Sequence, residues 1–208
     1  HESITAFGEK SRLLADTGLD GLVVLHYTLE FAQATPEEFV RSVIVDALNA
    51  AVVVVGHDVR FGRGNVGDFA EMVRLGALHG FEVEAVEEHP AEIGDEPERR
   101  CSSTWVREAL AAGDVAQAAA ILGRHHTLDG EVVHGFARGR ELGFPTANLA
   151  PEAEGMIPAD GVYAGWVHDV QGEAWPAAIS IGSNPTFEGV SRVVEAHVID
   201  RPEERVED

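Results

Sequence analysis

Apolar and polar positions alternate along this chain with two different rhythms, and the change of rhythm falls near residue 123. Residues 5–17 set Phe7, Leu13 and Leu14 among charged neighbours with Gly18 just beyond, a pattern that predicts a helix and its stop. The short apolar run Gly21–Leu25 predicts a buried strand. Thr35-Pro36-Glu37-Glu38 carries the marks of a helix start: a hydroxyl at the cap, proline at the first helical position, and a glutamate three residues after the cap. Phe39, Val40, Val43, Ile44 and Leu48 then recur at helical spacing. Ala51–Val55 has no polar alternation, which predicts a strand covered on both faces. Met72–Leu78 predicts a further helix and Phe81–Val86 a further strand, so the order strand, helix, strand points to a parallel α/β sheet. After the charged loop Glu87–Arg100, Cys101-Ser102-Ser103-Thr104-Trp105-Val106-Arg107 leads into a helix that stops near Gly113. Asp114 then caps an alanine-rich helix to Leu122.

From His125 onward the helical period is gone. Leu128–Val133, Gly161–Val167, Ala177–Ile181 and Val193–Ile199 read as strands separated by glycine and proline turns, which predicts a small all-β barrel or sandwich. In the last of these, Val194, Ala196 and Val198 form one apolar face, while Glu195 and His197 share the other with Val193 and Ile199. Packing therefore does not require Glu195, which is either a solvated carboxylate or a base presented to a ligand.

Length and charge narrow the function classes. The 208 residues suffice for one large or two small domains. A formal charge of −21 repels polyanions, which argues against nucleic acid and anionic membrane as partners and requires any phosphate ligand to be held by local positive groups. No run is long and apolar enough for a membrane span, no signal peptide opens the chain, and Cys101 has no intrachain partner, so a cytoplasmic location is expected. The single lysine, Lys10, lacks the glycines of a P-loop, so ATP chemistry here would need another phosphate cradle. The ten histidines show no metal-binding spacing, and His125-His126 reads as surface rather than as a zinc site.

Three regions carry candidate chemistry. Gly135–Asn148 packs glycines, Arg138, Arg140 and a closing Thr146-Ala147-Asn148 into fourteen residues. Glycine lets backbone approach a ligand, arginine matches phosphate oxygens, and Thr and Asn two residues apart on an extended segment offer hard oxygens to Mg²⁺. A solvated surface loop is the competing reading. Gly56-His57-Asp58 follows a predicted strand at the end where α/β sheets gather ligands, and Asp58 either binds there or caps a turn. The hydroxyls of Ser102–Thr104, with Arg107 one turn inside the helix, offer a phosphate site or a plain helix cap.

Taken together, Arg138-Gly139-Arg140-Glu141-Leu142-Gly143-Phe144-Pro145-Thr146-Ala147-Asn148, Gly161-Val162-Tyr163-Ala164, Ile181-Gly182-Ser183-Asn184-Pro185-Thr186-Phe187 and Val194-Glu195-Ala196-His197 resemble the riboflavin kinase module in order and spacing. Glu9-Lys10-x-Arg12-Leu13-Leu14, Val55-Gly56-His57-Asp58-x-Arg60-Phe61-Gly62 and Ser102–Arg107 resemble the adenylyltransferase module of the bifunctional bacterial FAD synthetase family.

The resemblance implies a Rossmann-like nucleotidyltransferase α/β domain with a parallel sheet over 1–123, followed by a small all-β riboflavin kinase barrel over 124–208. It implies phosphorylation of riboflavin by MgATP to FMN and adenylylation of FMN to FAD, with Mg²⁺ as cofactor. Glu195 would be the catalytic base, and Thr146 and Asn148 the metal ligands. Gly135, Arg138, Gly139, Arg140 and Gly143 would form a flap over ATP. Ser103, Thr104 and Arg107 would meet the phosphates of ATP in the first module, with Asp58 at its flavin or nucleotide site. The family's N-terminal strand, its Gly-x-Phe-Asp-Gly-x-His-x-Gly-His signature and the continuation after the Glu195 strand have no counterpart here, so a longer parent chain with segments closed up is expected. A non-catalytic flavin- or nucleotide-binding module, or a kinase only, with a degenerate first domain, are the alternatives. The partners expected are small molecules, with homo-oligomerisation left open.

Overall fold

The computed structural model describes residues 3–87, 99–133, 146–186 and 189–199. The chain divides into two compact units, Leu22–Pro90 and His1–Gly21 with Ala91–Asp208.

In the unit Leu22–Pro90 the predicted helix start forms as expected. Helix α2 (Pro36–Phe39) is capped by Thr35, whose hydroxyl accepts from the Glu38 N–H, while the Thr35 N–H donates to the Glu38 carboxylate at 2.8 Å. That backbone donor holds the Glu38 carboxyl below its ordinary value. The helix then widens into a π-helical stretch over Val40–Ala47, where the Leu48 N–H reaches back five residues to the Val43 carbonyl. Four β-branched residues among Val40–Val45 crowd the α-helical turn here.

Strand β1 (Val52–Gly56), helix α3 (Phe69–His79) and strand β2 (Glu82–Val86) form a parallel crossover in which Val52 pairs with Glu82 and Gly56 with Val86. Asp68 caps α3 by accepting from the Glu71 N–H. Val40, Phe61, Met72, Leu75 and Phe81 form the core.

Two strand expectations are corrected in this unit. Gly21–Leu25 forms no strand; it has no ladder partner among the described residues, and Leu22, Val23, Val24 and Leu25 are all exposed. β1 is covered on one face only, since Val52 and Val54 are 45% and 57% exposed: α3 and the π-helical stretch pack on the side of Val53. An apolar run alone does not distinguish one covered face from two.

The other unit joins helix α1 (Phe7–Asp16), the helix pair α4 (Ser103–Ala111) and α5 (Val115–Leu122), and an antiparallel sheet. Trp105, Val106, Ala109 and Leu110 of α4 close on Ala118 and Ile121 of α5, with Ile4 and Met156 packed beside them. Strands β3 (Val132–Val133), β4 (Ala147–Leu149), β5 (Gly161–His168), β6 (Ala174–Thr186) and β7 (Gly189–Val198) lie in the order β3-β4-β7-β6-β5. The expected barrel is thus present, among the described residues, as an open sheet with β3 and β5 at its edges. Leu128–Val133 is strand only at its last two residues; Asp129 instead makes an isolated bridge to Glu154. The expected alternation holds in β7, where Val194 and Val198 are buried beside Ile181 and Ala177 of β6.

Helices and sheet are tied by backbone rather than by a broad apolar face. The Ala159 N–H donates to Leu110 O at 2.9 Å, and the Tyr163 hydroxyl donates to Ala159 O at 2.6 Å. Gly113, at the turn between α4 and α5, has φ +78°, and a Cβ there would stand 3.0 Å from the Tyr163 hydroxyl. At the opposite edge of the same loop, the Arg192 guanidinium of β7 donates to Asp160 Oδ1 at 2.8 Å and to the carbonyls of Ile157 and Pro158, and Ser183 donates to Asp160 Oδ2.

His126 departs from its surface reading. It is partly buried with its Nε2 2.7 Å from Met156 O, and burial lowers its pKa against the raising effect of that carbonyl.

Two outcomes follow for stability. Gly113→Ala should cost about 1–2 kcal/mol from its left-handed backbone and the crowding of Tyr163. Tyr163→Phe should cost about 1 kcal/mol. The double variant should lose less than the sum, because removing the hydroxyl relieves the crowding; chemical denaturation of the four proteins checks this. For His126 the folded chain favours the neutral ring, so the unfolded chain takes up its proton first as pH falls through the ordinary value of 6.5. Stability present above that pH should decline below it, and His126→Gln should remove part of the decline in thermal midpoint between pH 7 and pH 5.

Candidate active site

The sheet places Glu195 on its central strand, β7. The register sets Asn148 of β4 directly opposite Glu195 on one side and Ser180 of β6 directly opposite it on the other. Residues facing each other across an antiparallel pair point to the same side with Cβ atoms roughly 4.5–5.5 Å apart. The row Asn148, Glu195, Ser180 therefore forms one polar line on the face away from Val194 and Val198. His197 stands on the same face, one step along β7 and opposite Ala178. The separation of some fifty residues in sequence between Asn148 and Glu195 is closed by a single pair of strands.

Asn148 is the one buried polar residue among the described residues, 9% exposed. Its Nδ2 donates to Thr146 O at 3.3 Å, which turns the amide so that Oδ1 is left without a hydrogen bond among the described residues. Thr146, just before β4, is half-buried. Two side-chain oxygens two residues apart suit a hard cation that keeps part of its coordination for water and phosphate. Among the described residues no group of three or more histidines, cysteines, aspartates or glutamates is placed to hold a metal by itself. Gly135, Arg138, Gly139, Arg140 and Gly143 lie outside the described residues.

The other residues singled out in the sequence fall in different units. In Leu22–Pro90, Asp58 follows β1 at its carboxyl end, and the carboxylate lies so close over Gly56 that a Cβ there would stand 2.7 Å from Asp58 Oδ1. His57 packs against the Phe69 ring with centroids 4.8 Å apart. In the other unit, Ser102 is the cap of α4, accepting from the Trp105 N–H at 3.2 Å. Ser103 and Thr104 are consequently the first two residues of the helix, exposed, with backbone N–H groups that the helix itself does not use. Arg107, one turn inside, is half-buried with its Nε shielded from solvent. The cap reading and the phosphate reading thus fall on different residues. A hollow of about 560 Å³ in Leu22–Pro90, rimmed by Glu30, Glu38, Asp46 and Arg41, includes none of these side chains.

Ser180 is the residue of this polar row that the sequence reading did not single out. Its signal was available only as a pairing register, which a strand sequence does not carry by itself.

Comparison with known proteins gives consistent matches to both halves. A family model described as FAD synthetase matches residues 1–104, and one described as riboflavin kinase matches residues 122–208. The bifunctional riboflavin kinase/FMN adenylyltransferase of Escherichia coli strain K12 is 36% identical over 197 residues, covering 95% of this chain and 61% of that protein. The protein of the same name from Bacillus subtilis strain 168 is 32% identical over 185 residues, covering 88% and 56%. A crystal structure described as a macrolide-efflux protein from Streptococcus pneumoniae superposes with TM-score 0.81 at 33% identity, covering 96% of this chain and 62% of that one. Among the described residues no helix is long and apolar enough to cross a membrane. The chain spans about three fifths of the length of the relatives it matches. It belongs to the FAD synthetase and riboflavin kinase family, with a segment matching each of the two modules.

Proposed function

We propose that the protein makes flavin cofactors, phosphorylating riboflavin to FMN and adenylylating FMN to FAD with ATP as the donor of both groups. The observation that carries the kinase half is the pairing of Asn148 with Glu195, two residues chosen for separate roles and found opposite one another on one face. In this reading the Glu195 carboxylate accepts the proton of the ribityl 5′-hydroxyl as its oxygen bonds to the γ-phosphorus. The bond from that phosphorus to the bridging oxygen breaks, and ADP leaves. Thr146 and Asn148 hold Mg²⁺, which neutralises charge on the phosphates when bound. Arg138, Arg140 and the glycines of 135–143, which lie outside the described residues, keep the nucleotide-binding role that the family resemblance implies for them.

In the adenylylation reaction a phosphate oxygen of FMN attacks the α-phosphorus of ATP and pyrophosphate leaves. Ser103, Thr104 and Arg107 bind phosphate there, and Asp58 orients the flavin or the nucleotide. The matches to residues 1–104 and 122–208 support a functional division near Gly123, with an adenylyltransferase-like portion before it and a kinase portion after it. The charge of −21 disfavours nucleic acid as a partner, and the substrates in this reading are small molecules.

Incubating the protein with riboflavin and MgATP should produce FMN and then FAD. Formation of neither, with tight flavin binding retained, would instead favour the non-catalytic binding module. Glu195→Gln should lower kinase turnover by about 10²–10⁴-fold while sparing FAD formation from supplied FMN. Gly56→Ala should do the reverse, because the added methyl displaces the Asp58 carboxylate; FMN formation should persist as FAD formation falls.

A further inference from the structure

The polar row across the sheet has a direction. Asn148, Glu195 and Ser180 follow one another across β4, β7 and β6, and Val162 of β5 continues the row as the partner of Ser180. In phosphoryl transfer the attacking and leaving oxygens lie roughly in line on opposite sides of phosphorus. With the nucleotide phosphates on the Asn148 side of Glu195, the body of the acceptor must extend away from them, across β6.

β6 is built to leave that path open. Ala178, Ser180 and Gly182 alternate on this face, and a Cβ placed on Gly182 would meet no heavy atom within 4 Å. Ser180 is exposed, and its hydroxyl makes no hydrogen bond among the described residues. A serine hydroxyl both donates and accepts, so it can pair with an alcohol in either sense. Glu195 and Ser180 are separated by roughly 4.5–5.5 Å at Cβ, a gap that two hydroxyls on neighbouring carbons bridge with one hydrogen bond to each side chain. Beyond Ser180, Val162 is 76% exposed and Ala164 is exposed beside it, an apolar strip on the side where the polyol joins its ring.

We propose that Ser180 is a substrate-binding residue that hydrogen-bonds the hydroxyl next to the one being phosphorylated, which in riboflavin is the 4′-hydroxyl of the ribityl chain. The inference rests on the kinase reading of Glu195 and adds to it a determinant of acceptor specificity: an acceptor with a vicinal diol at its end is preferred to one with a lone terminal hydroxyl.

The test measures dissociation constants by quenching of flavin fluorescence, so it does not depend on turnover. Riboflavin and 4′-deoxyriboflavin are compared on the parent chain, Ser180→Ala and Ser180→Thr. Ser180→Ala should weaken riboflavin binding by about five- to tenfold and leave 4′-deoxyriboflavin unchanged, while Ser180→Thr, which keeps the hydroxyl, should retain the discrimination. Equal weakening for both flavins, or no weakening for either, overturns the proposal. FMN formation is followed in parallel. Discrimination without FMN would overturn the kinase reading and leave the Ser180 contact standing; FMN formation with equal weakening would do the opposite. Failure of the parent chain to bind riboflavin overturns both.

Discussion

Everything proposed for the kinase half depends on one antiparallel register, the one that sets Glu195 between Asn148 and Ser180. A slip of one residue between β4 and β7 would bring Ala147 opposite Glu195 and turn Asn148 to the other face. The register of β7 against β6 is fixed by the apolar face. Val194 and Val198 are buried against β6 residues Ile181 and Ala177, and moving either by one position would put Glu195 or His197 into the core. The site is therefore aligned by the packing of residues that never touch it.

The strands are anchored at their ends by the segment between Met156 and Asp160. One edge of that segment is held through Ala159 to Leu110 of α4 and to the Tyr163 hydroxyl, and the other through Asp160 to Arg192 and Ser183. Arg192 and Ser183 are themselves paired in the β6–β7 register, so the grip on Asp160 belongs to the same ladder that positions Glu195. This explains why residues 99–133, most of which match no kinase motif, form one unit with the sheet.

Local chemistry was legible in the sequence wherever a short-range rule decides the outcome. The capping box at Thr35 and Glu38, the Asp114 cap and the two faces of the Glu195 strand all formed as their residue types predict, because each depends on neighbours within four positions. What was not legible depends on partners distant in sequence. Gly21–Leu25 has a strand's composition but pairs with no strand among the described residues, and Val52 and Val54 have a buried strand's composition on a face that stays exposed. Ser180 looked like one small residue among others until pairing placed it beside Glu195. Asn148 and Glu195 each stood out from local pattern, and the family motifs supplied what periodicity cannot, joining the two in one expected site before any register was known.

The acidic character of the chain bears on how such a site would hold ATP. Several arginines are already matched with carboxylates: Arg12 with Glu9 and Asp16, Arg74 with Glu71, Arg99 with Glu108, and Arg192 with Asp160. Exposed pairs of this kind contribute little to stability, but they do neutralise the arginine as a source of positive potential. A nucleotide triphosphate approaching a chain of charge −21 therefore finds little general attraction. Binding must come from groups at contact distance, where local charge and oriented donors outweigh a screened long-range field. Backbone N–H groups at the start of α4 are one such source, and a divalent cation held by neutral oxygens is another. Neutral Thr146 and Asn148 suit this task better than aspartates would, since they leave the cation's charge undiminished for the phosphates. If Asn148 holds the cation as proposed, the amide is better suited than a carboxylate: Asn148→Asp would keep the oxygen and the shape, yet add a negative charge beside the phosphates.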